Sequence, residues 1–218
     1  MRKVIASAFI SLDGVMQAPG APEEDPTGGF KFGGWTMPLF DDVMGQTMGR
    51  IFSEKFDLLL GRKTYEIFAA YWPYVDDPFG KAFTAAKKYV ATRTLKDLGW
   101  QNSTVVRDAA TDVARLKQEN GPNILIQGSS DLVHTLLAKD LIDEITLLIF
   151  PVVLGSGKRF FADGSIPRSF TLIDPKISTT GVMIGNYHRA GEVRTGTAAT
   201  DAPSKAELAR REKLKREG

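Results

Sequence analysis

The sequence of 218 residues contains no cysteine and only two histidines, His134 and His188. The absence of cysteine excludes disulfides, thiolate nucleophiles, iron–sulfur clusters and cysteine-ligated zinc. With two imidazoles, neither a serine–histidine–aspartate triad nor a histidine-rich metal site is expected. The sequence therefore predicts no metal site.

Long apolar runs are also missing, because no segment approaches the ~20 residues that a membrane helix needs. The apolar N-terminal stretch reaches Asp13 without a small-residue cleavage site, so it predicts a strand and not a signal peptide. We expect a cytoplasmic protein without a membrane partner.

The 28 Lys and Arg exceed the 26 Asp and Glu by two, and this surplus lies in residues 192–218. The rest is neutral, so no nucleic-acid partner is expected.

Strand-like and helix-like segments alternate along the chain and give way to two late strands without a helix between them. This order predicts an α/β fold with a mixed, mostly parallel sheet covered by helices and a C-terminal antiparallel hairpin. The predicted strands are Lys3–Leu12, Asp57–Leu60, Lys88–Ala91, Ser103–Val106, Asn123–Gln127, Glu144–Leu154, Phe170–Ile177 and Gly181–Tyr187. The predicted helices are Pro38–Phe52, Thr64–Tyr71, Asp112–Asn120 and a segment that follows Ser130.

The last part of the chain has a different composition, which predicts a domain over residues 1–191 and a tail over residues 192–218. Thr195–Pro203 is rich in Ala and Thr and is typical of a linker. Ser204 and Glu207 have the spacing of a capping box ahead of a highly charged helix. That helix is either solvated or docked on a partner subunit.

Three predicted strand ends carry residues suited to phosphate. Gly61-Arg62-Lys63-Thr64 opens a helix beside a fixed cation, and Gly128-Ser129-Ser130 opens another. Thr92-Arg93-Thr94 pairs an arginine with hydroxyls, which at a nucleotide site favours NADP over NAD. Each segment taken alone is also compatible with an ordinary turn.

Other candidates are weaker. Gly155-Ser156-Gly157 fails as a Rossmann phosphate turn, because Phe160 replaces the third glycine. Asp13 follows the first strand and is either a ring-binding or proton-moving carboxylate or a turn residue before Gly14. Trp35 follows a glycine-rich aromatic loop that is either a lid stacking on a flat substrate or a loop anchored by its aromatic rings.

Taken together, these segments resemble the dihydrofolate reductase-like family, in particular proteins similar to the C-terminal reductase domain of the bifunctional riboflavin biosynthesis enzyme. The resemblance covers about residues 1 to 190. The motifs that carry it are Ser11-Leu12-Asp13-Gly14, Gly33-Gly34-Trp35, Leu60–Glu66, Lys88–Leu95, Gln127-Gly128-Ser129-Ser130, Leu141–Glu144 and Pro151–Phe161. The zinc-dependent deaminase half of the bifunctional enzyme has no counterpart here, since it needs His and Cys ligands.

The resemblance implies a three-layer fold with about eight strands and an NADPH site at the strand ends. It places Arg62 and Thr64 at the cofactor phosphates, Thr92 and Arg93 at the adenosine 2′-phosphate, and Gly128, Ser129 and Ser130 at the pyrophosphate. Gly155 is also assigned to the cofactor, Asp13 to catalysis and substrate binding, and Trp35 to substrate binding. Relatives of this type often form homodimers, so a homodimer is expected.

The function implied is an NADPH-dependent reductase. Hydride would pass to a C=N or C=O carbon of a small pyrimidine-like or pterin-like heterocycle, and Asp13 would either position the ring or supply the proton. Because Asp13 lies on the loop after the first strand, whereas dihydrofolate reductase carries its acid on a helix, folate is not the expected substrate. The alternative is a non-catalytic NADP- or pterin-binding homodimer that kept the fold.

Overall fold

The structure is a computed structural model that describes residues 1–161, 163–198 and 201–217. Within these residues the chain forms eight strands and six α-helices. The strands are β1 (Val4–Ser11), β2 (Phe56–Gly61), β3 (Lys88–Ala91), β4 (Ser103–Val106), β5 (Asn123–Ile126), β6 (Glu144–Phe150), β7 (Ser169–Ile177) and β8 (Met183–Gly191). The helices are α1 (Asp42–Ile51), α2 (Arg62–Tyr71), α3 (Pro78–Ala85), α4 (Ala109–Gln118), α5 (Ser130–Leu137) and α6 (Lys205–Glu217).

All the strands join one sheet in the order β4-β3-β2-β5-β1-β6-β8-β7. The pairs from β4 through to β6 are parallel, whereas β8 runs antiparallel to both β6 and β7. Parallel neighbours require crossover connections, and helices supply them. The predicted fold class, including the antiparallel hairpin, is confirmed.

Helices cover both faces of the sheet because the central strands are apolar on both sides. Along β2, Leu58 and Leu60 pack in one cluster with Tyr65 of α2 and Phe83 of α3. Leu59 points to the opposite face and shares a cluster with residues of α4 and α5. The alternation of side chains along a strand thus builds the three layers.

A third cluster fixes the long loop between β1 and α1. The Trp35 side chain is buried, with its ring centroid 5.2 Å from that of Phe150. Its Nε1 donates a hydrogen bond to the carbonyl oxygen of Gln17 at 2.9 Å. Of the two interpretations of this loop, these contacts agree with anchoring by aromatic rings, and the substrate-binding role of Trp35 stays a prediction.

Some element boundaries differ from those predicted. Strand β6 stops at Phe150 because Pro151 cannot donate to the ladder. Helix α1 begins after Asp41, whose carboxylate accepts from the amide of Met44 at 3.1 Å, and not at Pro38. Helix α3 was not predicted. The signal for it was Asp77 followed by Pro78, an N-cap followed by proline at the first helical position.

The tail ends in the exposed helix α6. Ser204 Oγ accepts from the amide of Glu207 at 3.2 Å, which is half of the predicted capping box. Hydrogen bonds from Arg210 and Arg211 lower the pKa of Glu207 to about 2. Residues 199, 200 and 218 of the predicted tail lie outside the described residues, and the division at residue 191 stays a prediction. In the part of the chain that is described, every helix is too short or too polar to cross a membrane.

Candidate functional site

The predicted phosphate-binding segments come together at one cleft of about 1450 Å³. Its floor includes Ser7, Ala8 and Phe9 of β1, and its walls come from the loop after β1 and from helices α1 to α3. Of the predicted site residues, the following line it: Arg62, Thr64, Thr92, Arg93, Gly128, Ser129 and Ser130. Three separate strand ends therefore meet at a single surface, as parallel strands allow.

Two of these turns are in direct contact. The amide of Gly61 donates to the carbonyl oxygen of Gly128 at 3.1 Å. A Cβ atom at position 61 would lie 2.2 Å from the Ser129 hydroxyl, and one at position 128, where φ is +120°, would lie 2.8 Å from Thr64 Oγ1. Glycine is therefore required at both positions for the backbones to approach so closely.

The helices that begin at these two turns have no side-chain cap. Gly61 precedes α2 and Ser129 precedes α5, and neither makes a capping hydrogen bond from its side chain. Helices α1, α3 and α4, in contrast, are capped by Asp41, Asp77 and Asp108. The first amides of α2 and α5 are therefore available to an anion, and the positive ends of both helices favour one.

The end of β3 forms the third part of this side of the cleft. Thr92 Oγ1 accepts from the amides of Thr94 and Leu95 at 3.2 and 3.1 Å, so this hydroxyl shapes the turn. Arg107, which the sequence analysis missed, donates from Nη1 to the Thr92 carbonyl oxygen at 3.0 Å. Arg93 is exposed in the cleft. Hydrogen bonds from Thr111 are the main reason that the pKa of Asp108 is lowered, and the Arg93 charge adds to this effect.

Arg62 also has a partner within the protein. Its Nη1 donates to both carboxylate oxygens of Glu66 at 3.0 Å, one helical turn away. Both side chains are over two-fifths exposed. An exposed pair of this kind contributes little to stability, so the guanidinium remains accessible to a ligand in the cleft.

Asp13 does not line the cleft, and its catalytic and substrate-binding roles stay predictions. Its carboxylate accepts from the Leu154 amide at 3.1 Å and from the Gly155 amide at 2.9 Å. The Ser11 hydroxyl also donates to it, at 2.6 Å. This hydrogen bond is the main reason that the pKa of Asp13 is lowered, so at neutral pH the group is ionised and cannot donate a proton. Gly155 contributes one of the two amides that bind Asp13, and it does not line the cleft either.

We expect Asp13→Asn to lower stability without changing any reductase activity. The loss should be about 1–2 kcal/mol, because charge-assisted hydrogen bonds to two amides are weakened. A folded-state pKa below the unfolded one means that this stability is present above about pH 4 and is lost as pH falls through the lowered folded value. Urea unfolding at neutral pH and near pH 3 measures the effect, and a loss of kcat with unchanged stability would support the predicted catalytic role.

The carboxyl group in the cleft whose pKa is raised belongs to Glu24, another residue that the sequence analysis missed. Its Oε2 accepts from the amides of Gly20 and Ala21 at 2.6 and 3.2 Å. Burial raises the pKa of Glu24, and the charge of Asp25 adds to this effect. The signal available in the sequence was the acidic run of the loop, but periodicity alone does not show which of its carboxyl groups is enclosed.

Asp25 is different from its neighbour because it is paired. Burial opposes its ionisation, but the Lys158 ammonium and the Thr27 hydroxyl hold the pKa of Asp25 below its usual range. Lys158 makes an ion pair with Asp25 and also donates to Thr27 Oγ1 at 3.0 Å. Lys63 reaches the same hydroxyl from α2 at 3.3 Å. These contacts tie the loop to the far wall of the cleft.

Comparisons with known proteins agree with this fold. Among solved structures, a protein from Shewanella sp. PV-4 named for riboflavin biosynthesis is 21% identical with a TM-score of 0.58, and the match covers 86% of this chain and 99% of that one. Dihydrofolate reductase from Enterococcus faecalis, complexed with NADP(H), is 14% identical with a TM-score of 0.54, over 86% and 96%. The fold is therefore dihydrofolate reductase-like.

The sequence comparisons define the family. The model of the RibD C-terminal domain matches residues 2–184. An uncharacterized protein of Bacillus subtilis, YyaP, is 29% identical over 196 residues, which are 87% of this chain and 96% of that protein. The chain belongs to the RibD C-terminal domain family, a family of reductases.

Gly61→Ala tests whether the contact between the two turns organises the cleft. The new methyl group must displace Ser129, so we expect a loss of about 1–3 kcal/mol in stability and a roughly tenfold weaker affinity for the cofactor that the resemblance predicts, NADPH. Calorimetric titration and urea unfolding measure the two effects. Gly80→Ala is the matched control, since its Cβ would lie 2.1 Å from the Val75 carbonyl oxygen, away from both turns. Equal losses of NADPH affinity in the two variants would mean that the contact between the Gly61 and Gly128 turns does not organise the cleft.

Proposed function

We propose that the protein is an NADPH-dependent reductase that transfers hydride to a C=N or C=O carbon of a small heterocycle. The observation that carries this proposal is the meeting of two uncapped helix starts and the Arg93 turn at one cleft. Free amides and guanidinium groups suit the several phosphates of NADPH. The likeness to a reductase complexed with NADP(H) supports the same cofactor.

The residues of the cleft divide the binding of this cofactor between them. The amides at the starts of α2 and α5, with the hydroxyls of Ser129 and Ser130, would hold the pyrophosphate. Arg62 and Thr64 would approach the same phosphates from α2. Arg93 would bind the 2′-phosphate, supported by the turn that Thr92 and Arg107 shape. Gln127 Nε2, which is buried beside these turns and has no hydrogen-bond partner, is a further donor available to the ligand.

The reduction requires one hydride and one proton. When bound, NADPH would supply the hydride and its two electrons to the carbon and leave as NADP⁺. Glu24 would supply the proton that goes to the substrate nitrogen or oxygen, because burial raises the pKa of its carboxyl group and so favours the protonated form. The ionised Glu24 would then regain a proton from water, which closes the balance of atoms and charge.

Titration of the protein with NADPH tests the proposal. We expect saturable binding, observed as a change in NADPH fluorescence and by calorimetry, and then loss of NADPH absorbance when pterins, aminopyrimidines and carbonyl compounds are added. Absence of NADPH binding would refute the proposal. Binding without consumption across the panel would support the alternative of a non-catalytic NADP- or pterin-binding homodimer.

A further inference from the structure

The loop between β1 and α1 contains a compact segment, residues 17–27, whose two ends are joined by one side chain. Gln17 Nε2 donates to the carbonyl oxygens of Asp25 and Thr27, each at 2.9 Å. The segment thereby closes on itself, as compact surface loops with adjoining ends do. Glu24 belongs to this segment, and both Glu24 and Gln17 line the cleft.

The amide group of Gln17 is fully used by main-chain partners. Both hydrogens of Nε2 go to carbonyl oxygens, and Oε1 accepts from the amide of Lys158 at 3.0 Å. Two acceptors and one donor around the group fix which end carries the nitrogen, so a carboxylate of the same shape would not fit. Since Gln17 is only 5% exposed, water cannot readily replace these partners, and the side chain is specific to this place in the loop.

Different parts of the protein hold the two halves of the segment. The first half is bound by the chain that follows the segment. There the amide of Gly34 donates to the Ala18 carbonyl oxygen at 2.9 Å. The hydroxyl of Thr36 donates to the Pro19 carbonyl oxygen at 2.7 Å. The main chain of the second half is instead bound by Gln17, so this side chain sets the distance between the two halves.

Glu24 connects the two halves. Its Oε2 accepts from the amides of Gly20 and Ala21 in the first half, at 2.6 and 3.2 Å. Its own amide donates to the Ala21 carbonyl oxygen at 3.2 Å. Its main chain continues directly into Asp25, one of the two residues whose carbonyl oxygens Gln17 binds. The enclosed position of Glu24 therefore depends on the contact that Gln17 makes.

Charges near Glu24 add less to its state than its enclosure does. In the described chain, the charged groups that line the cleft from this segment, from the start of α2 and from the loop after β6 are Glu23, Asp25, Arg62, Lys63 and Lys158. Asp25 is paired with Lys158, and Arg62 is paired with Glu66. Burial is the largest cause that raises the pKa of Glu24, and the charge of Asp25 comes after it. Opening the segment to water should therefore return this pKa toward its ordinary value.

From this arrangement we infer that Gln17 is a positioning residue, which encloses the proton donor Glu24 by closing residues 17–27. The inference rests on the proposed function, from which Glu24 takes its role as proton donor. Gln17 itself transfers no proton, since a side-chain amide does not titrate near neutral pH. Its loss should therefore change the protonation of Glu24 and leave the phosphate-binding turns unaltered.

Gln17→Met tests the inference, because methionine has a similar length and no hydrogen-bond donor in its side chain. The pKa of Glu24 is followed by NMR of its ¹³C-labelled carboxyl group, whose signal is assigned with Glu24→Gln. We expect Gln17→Met to lower the pH midpoint of this titration by at least about half a pH unit. The pH at which kcat declines should fall with it, while NADPH affinity stays within about twofold. An unchanged midpoint would overturn the inference.

Gln101→Met is the matched control. Gln101 also donates from Nε2 to a carbonyl oxygen, that of Thr84 at 3.3 Å, but it does not line the cleft. An equal fall of the midpoint in both variants would overturn the inference. If Gln17→Met does not fold, Gln17→Asn replaces it, because asparagine keeps the amide and is too short to reach both carbonyl oxygens. The midpoint should fall in this variant as well, and an unchanged value would again contradict the inference.

The NMR titration separates the inference from the proposed function, because it needs neither cofactor nor turnover. A lowered midpoint together with an unmoved pH profile of kcat would support enclosure by Gln17 and contradict the role of Glu24 as proton donor. An unmoved midpoint in Gln17→Met, combined with NADPH oxidation that depends on Glu24, would instead contradict the role of Gln17 alone. The two failures are therefore distinguishable.

Discussion

Glu24→Gln is expected to lower kcat by about two orders of magnitude while NADPH affinity stays unchanged. General acid catalysis contributes roughly 10²- to 10⁴-fold, and an amide cannot supply a proton. Glutamine keeps an oxygen that accepts from the amides of Gly20 and Ala21, so the loop retains its hydrogen bonds. Steady-state rates of NADPH oxidation measure the effect. Glu54→Gln, at an exposed position outside the cleft, is the matched control.

The pH dependence of this variant separates a chemical role from a structural one. Because burial raises the pKa of Glu24, the rate of the unaltered protein should fall as pH rises through that elevated value, and the variant should lack this limb. A raised pKa of a carboxyl group also means that the folded state binds its proton more tightly than the unfolded state does. Stability should then decline as pH rises between the two pKa values, and Glu24→Gln should remove that decline.

An unchanged pH profile in Glu24→Gln would contradict the proton-donor role. A fall in kcat that is matched by an equal fall in stability would indicate a loop defect instead. The rate and the stability together therefore distinguish a proton donor from a loop defect. If Glu24 donates the proton, Glu24→Gln should lose activity and yet be more stable than the unaltered protein at high pH.

The sequence was informative where function depends on local structure. A strand that ends in Gly61 and Arg62 and continues as a helix is a local pattern, and the same holds for Gly128 and Ser129. Such a pattern predicts which backbone amides are exposed at the end of a parallel strand. The order of the segments then implied that these ends share one edge of the sheet, and the structure places their residues at one cleft.

The sequence was least informative where a side chain has a distant partner. Asp13 follows a strand as a cleft residue would, but its carboxylate binds amides some 140 positions away at Leu154 and Gly155. Trp35 sits among glycines like a lid residue, but its ring packs on Phe150. In both cases the choice between cleft and core depends on the tertiary contact, which neither periodicity nor spacing reports.

Arg93→Ala is expected to weaken NADPH binding by about 1.5–3 kcal/mol, or roughly 10- to 150-fold, while leaving NADH affinity unchanged. The two cofactors differ only in the 2′-phosphate, so the difference between their losses isolates the contact with that group. Arg93 extends from the end of β3 into the cleft, and the carboxylate of Asp108 lies close enough to be influenced by its charge. Without the guanidinium, the phosphate would face Asp108 unshielded, which adds repulsion to the lost hydrogen bonds.

The reciprocal variant sharpens this prediction. Asp108→Asn keeps an oxygen that can cap α4, and removing its charge should strengthen NADPH binding relative to NADH.

Arg115→Ala is the matched control for Arg93→Ala, because Arg115 is an exposed arginine of α4 that pairs with Asp112 and Glu119 outside the cleft. Equal losses for both cofactors in Arg93→Ala would mean that the 2′-phosphate binds elsewhere. A preference for NADPH that disappears at high ionic strength would support the charge-based selection.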